Sequence, residues 1–114
     1  MQYLITGEFV EGNTAGKPAA EVFGWVEMVV HPSLDALDKM VKDGKATGGA
    51  AAGARVLHMI ADASSGEEVG KMLRSLPIWG AMRWTVTPLQ SFRSAIDQDK
   101  ASIEKAKSMS AGHR

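Results

Sequence analysis

The chain has 114 residues, with 13 acidic and 13 basic side chains and no cysteine. That length fits one domain, balanced charge leaves no electrostatic footprint for nucleic acid, and absent thiols exclude disulfides, thiolate catalysis and cysteine-bound metal. The first residues carry no basic stretch followed by an apolar one, and no apolar run approaches spanning length, so a soluble, cytoplasmic protein without membrane contact is expected.

Gln2 to Val10 reads as the first strand, with Tyr3, Ile5, Gly7 and Phe9 on one face and Gln2, Leu4, Thr6 and Glu8 on the other. Glu11 to Lys17 is loop chemistry, and Pro18 suits the first turn of a helix. From Ala19 the apolar positions Val22, Val26, Val29, Val30, Leu34, Leu37, Met40 and Val41 recur in steps that are mostly of three and four, predicting a long amphipathic helix. A strand over Val22 to Val30 is the competing reading. His31-Pro32-Ser33 predicts a kink or short break, and Gly44 a helix stop.

The run Ala46 to Gly53 holds only small side chains and reads either as a glycine-rich edge strand or as a loop. It has no Lys-Ser/Thr pair after it and no strand-then-helix frame, which excludes a phosphate loop. Arg55 to Ala63 is apolar on both faces, as a central strand is. Ser64 or Ser65 caps a second helix, with Glu67 and Glu68 in its first turn and Val69, Met72, Leu73 and Leu76 as its stripe. Pro77 stops that helix. Met82 to Thr87 alternates as a strand whose pairing Pro88 is expected to end. Ser91 to Lys107 forms a thin-striped helix on Phe92, Ile96 and Ile103 that needs a partner surface, and Ser108 to Arg114 is expected to fray.

Strand, helix, strand, strand, helix, strand is the order of the α+β, ferredoxin-like (βαββαβ) fold: a four-stranded antiparallel sheet with two helices on one face. Residues 1–90 form that domain and residues 91–114 a C-terminal helical tail. The uncovered sheet face predicts self-association to a dimer or higher.

Asp62, Ser64, Leu76, Pro77, Ile78, Trp79, Met82, Val86 and Leu89 carry a resemblance to the C-terminal half of muconolactone isomerases. Those enzymes have a strand ending in Asp, a Ser-started helix, Leu-Pro-Leu-Phe, a Met-containing strand and a closing Leu. The resemblance implies the dimeric α+β barrel superfamily, in which two such sheets pack together, and an isomerase acting by cofactor-independent proton transfer on a small lactone or aromatic breakdown product. The family's acidic positions in the last strand are Arg83 and Thr85 here. Its basic or His positions in the first strand are Leu4 and Thr6, and its Trp-rich second strand is the small-residue run. A non-catalytic ligand-binding or scaffold protein of the same fold is therefore the alternative, with a cofactor-free monooxygenase a third reading.

Proton transfer beside a carbonyl needs a tuned base and acid. Glu8 and His58 are the catalytic candidates, with Arg83 for a substrate carboxylate and Thr6, Thr85 and Trp84 as further substrate-binding residues. Glu8 and Arg83 lie on neighbouring strands, where an ion pair at a strand end is the structural alternative. His58 has Val56 and Ile60 on its face: turned to the open side it is the general acid/base candidate, and turned toward the helices, the preferred reading, it is a buried core histidine. His31 is read as a cap or turn residue, and Trp25, Trp79 and Trp84 as packing groups or pocket walls. The three histidines lack ligand spacing, so neither metal nor cofactor is expected.

Overall fold

The computed structural model describes residues 1–111, so His113 lies outside the described residues. Four strands, β1 (Gln2–Phe9), β2 (Ala46–Ala50), β3 (Val56–Asp62) and β4 (Met82–Leu89), form one antiparallel sheet in the order β2-β3-β1-β4. With the helices α1 (Ala19–Trp25), α2 (His31–Lys42) and α3 (Gly66–Arg74), the fold is α+β and broadly ferredoxin-like. Along β1 the alternation does what its sequence requires. Tyr3 and Ile5 are buried on the helix-covered face, whereas Gln2, Leu4 and Glu8 are exposed. Met59 and Ala61 of β3, Ala46 of β2 and Met82 of β4 join them, and Val69 and Leu73 of α3 close the core from above. No helix among the described residues is long and apolar enough to cross a membrane.

The segment from Ala19 to Lys42 is helical throughout, so the competing strand over Val22 to Val30 does not form. Its irregularity also lies one turn earlier than His31-Pro32-Ser33. Residues Val26–Val30 adopt a wider π turn, in which the His31 N–H reaches back to the Val26 carbonyl. Pro32 has no N–H to give and its ring crowds the preceding turn. Widening that turn absorbs the conflict without breaking the helix. Ser33 then uses the slack: its hydroxyl donates to the Val29 carbonyl at 2.8 Å and accepts from the Ile78 N–H at 3.0 Å. Ser33 is completely buried and ties α2 to the turn that follows Pro77.

Gly44 ends α2 with φ 75°, and the Lys45 N–H bonds back to the Met40 carbonyl, a left-handed helix stop. The small-residue run resolves as an edge strand, β2. Gly48 has φ 139°, and a Cβ there would run into the His58 carbonyl, so the close approach of β2 to β3 requires glycine. Ser65 caps α3 by accepting from the Glu68 N–H at 3.2 Å, and Glu68 accepts from the Ser64 N–H at 2.7 Å. The Ser64 hydroxyl donates to the same carboxylate, and these two bonds, side chain first and backbone second, hold the Glu68 carboxyl below its usual range.

Pro88 does not end β4. The strand continues to Leu89 with Pro88 opposite Tyr3, because β4 lies at the sheet edge and a missing N–H there costs no ladder bond. Beyond it α4 (Phe92–Ala111) starts at Ser91, whose hydroxyl accepts from the Ser94 N–H at 3.0 Å. This helix stands away from the body and stretches the molecule to 75 × 33 × 26 Å. Phe92 is 90% exposed, and Ile103 and Met109 are more than half exposed.

Candidate functional site

Pairing registers decide which side chains meet on the uncovered sheet face. Thr6 stands opposite His58 of β3 and opposite Thr85 of β4, so these three form one row across the sheet. The Thr6 hydroxyl and His58 Nδ1 are 3.4 Å apart. In the next row Glu8 stands between Val56 and Arg83. Directly opposed, Glu8 and Arg83 are nonetheless not ion-paired; among the described residues the ion pairs are Lys42–Asp38 and Arg93–Asp97. The row on the other side is more apolar, with Leu4 between Ile60 and Thr87.

Five of the six residues singled out from sequence thus share one face: Glu8, His58, Arg83, Thr6 and Thr85. The sixth, Trp84, is on the opposite face, because it stands across from Gly7 on the helix-covered side. His58 also differs from expectation. It shares a face with Val56 and Ile60 as read, but that face is the open one, and His58 is exposed. A strand apolar on both sides does not reveal which side is covered. The register against β1 does, and it sends Leu57, Met59 and Ala61 to the helices. His31 is an exposed residue inside the continuous helix, not a turn residue.

Among the described residues two cavities lie between the helices and the sheet; of the tryptophans read as packing groups or pocket walls, Trp84 lines the first, Trp25 the second and Trp79 neither. The first, about 260 Å³, is walled by Ile5, Leu34, Leu37, Val41, Met59 and Trp84, with the side-chain-poor Gly48, Gly49 and Ala50 as its rim. Asp38 is its charged neighbour and is bonded to Lys42 at 2.9 Å, which raises the Lys42 ammonium above its usual range. The second, about 280 Å³, is walled by Phe9, Trp25, Val30, Ile78 and Met82. Leu34, Ala50 and Leu57 line both, so the two are contiguous. The signal in the sequence was the run Ala46 to Gly53 itself. An edge strand of small side chains leaves unfilled space beneath an overlying helix.

Trp84 is seated by two contacts. Its six-membered ring lies over Gly7, where a Cβ would sit 2.5 Å from Cζ3 and 2.8 Å from Cε3. Its indole N–H donates to the Trp79 carbonyl at 3.1 Å. In the second cavity the Phe9 and Trp25 rings meet at 5.6 Å with a 54° tilt. The site therefore consists of an apolar, aromatic-walled cleft on one side of the sheet and a polar row of possible proton-transfer groups on the other. No protein-family model matches the chain, and no match to a curated protein is found.

Proposed function

We propose that this chain is a cytoplasmic, homo-oligomeric small-ligand-binding protein on a dimeric α+β barrel scaffold like that of the muconolactone isomerases. Its ligand is a small, flat, apolar molecule held between α1–α2 and the sheet. The pair of contiguous apolar cavities carries this reading. Small-molecule sites are concave, mostly apolar and provided with few polar groups, and this cleft has that character. Self-association draws support from the bare sheet face, where Leu4 and Ile60 are each 36% exposed, and from α4, which has little surface of its own chain to cover it.

Ala50 tests the cleft, because it is exposed on the edge strand and lines both cavities. Naphthalene is expected to raise the melting temperature of the wild-type protein, since a ligand that binds only the folded state stabilises it. Ala50→Phe, which plugs the junction, is expected to abolish that rise while folding normally. An equal rise in both proteins, or none in wild type, would remove the cleft as the ligand site.

A second reading is cofactor-independent proton transfer, an isomerase-like activity on a small lactone or aromatic breakdown product. It is favoured by His58 beside Thr6 and Thr85, with Glu8 and Arg83 one row away. Two sheets packed face to face would shield these groups from water, which strengthens every polar interaction among them. Glu8 and His58 would then serve as base and acid and Arg83 as the anchor for a carboxylate. Glu8→Gln and His58→Ala are each expected to abolish turnover of a lactone panel with the melting temperature nearly unchanged, in a protein that light scattering shows to be at least a dimer. Undiminished turnover in both variants, or a clean monomer, would set this reading aside.

A further inference from the structure

We infer that the second cavity selects ligands bearing one anionic group, with Arg55 as the residue that holds it. The inference rests on the cleft being a ligand site, as proposed above. Among the described residues Arg55 is the only charged side chain on that cavity's wall, and the other lining residues are apolar apart from Thr14. Its guanidinium lies over the Phe9 ring, 5.4 Å from the centroid, and Phe9 in turn packs on Trp25. The backbone fixes this placement, because the Phe9 N–H donates to the Arg55 carbonyl at 3.1 Å. Arg55 thus stands immediately before β3, directly beside the aromatic pair.

Among the described residues no carboxylate is ion-paired with Arg55. An exposed arginine usually keeps its head in bulk water with its stem on apolar surface. Here stacking on Phe9 holds the head at the cavity wall and leaves its N–H groups free to donate. A ligand with a flat apolar body among Trp25, Val30 and Met82 would bring a terminal anion to that position. Arginine meets such a group with two parallel hydrogen bonds, which lysine does not. A neutral ligand of the same shape would fill the cavity and forgo those bonds.

The test is calorimetric titration of the full-length protein with 2-naphthoate and with 2-naphthalenemethanol, which share a body and differ in charge. Wild type is expected to bind the carboxylate about tenfold more tightly, a preference that shrinks as salt rises. Arg55→Gln is expected to lose that preference while binding the alcohol as before. Equal affinities in wild type, or a preference that survives Arg55→Gln, would overturn the role of Arg55 and leave the cleft intact. Binding of neither compound would overturn the cleft together with the inference.

Discussion

Replacing Ser33 with alanine is expected to destabilise the fold by about 2 kcal/mol, since each buried polar group left without its partner costs ~1–3 kcal/mol. One hydroxyl serves two backbone groups here: it donates to the Val29 carbonyl and accepts from the Ile78 N–H. Alanine removes both bonds at once. Ile78 is only 4% exposed, so solvent is poorly placed to replace the acceptor. In a domain of this size such a loss lowers the melting temperature by roughly 10 °C. Urea unfolding should show an earlier midpoint with an unchanged slope, because the variant exposes no new surface. Hydrogen exchange locates the damage: the Ile78 amide should exchange faster than the amides of the β1–β3 ladder. A variant within about 0.5 kcal/mol of wild type, the range of ordinary surface substitutions, would mean that Ser33 does not hold the helix to the turn.

That bridge marks where sequence reasoning stops. The helix periodicity from Val22 to Val41, the Ser65 cap and the alternation of β1 are local patterns, and each element formed where its pattern said. Pro32 announced an irregularity, but its position depends on which turn yields, and only the contact with Ile78, 45 residues away, fixes that. The same division runs through the site. Alternation put Thr6 and Glu8 on one face, and the fold's strand order brought His58, Thr85 and Arg83 to them. The direction of His58 was not legible, because Val56, Leu57, Met59 and Ile60 are apolar on both sides of their strand. The cleft was less legible still. It is produced by the smallness of the side chains of β2, and a run of small residues has no period to read.

Gly7→Ala is expected to cost about 1–3 kcal/mol, the usual penalty for forcing a methyl group into a filled site, and to damage ligand binding more than stability. Its new Cβ would sit 2.5 and 2.8 Å from Trp84 ring carbons and 3.1 Å from the Met82 methyl group. Backbone pairing on both sides fixes β1, so the indole has to move. As it moves it loses the Trp79 carbonyl at its N–H and changes the wall of the first cavity. Tryptophan emission should shift to longer wavelength, and naphthalene should no longer raise the melting temperature. Trp84→Leu in the Gly7→Ala background separates the two effects. Leucine carries no ring into the space above position 7, so the double variant should recover most of the lost stability, a strong coupling between neighbours in contact. Ligand binding should stay lost, because the aromatic wall is gone. Additive destabilisation would mean that glycine is required at position 7 for the backbone and not for the indole. Recovery of stability without recovery of binding would assign Gly7 to the site: a residue with no side chain whose contribution is the position of Trp84.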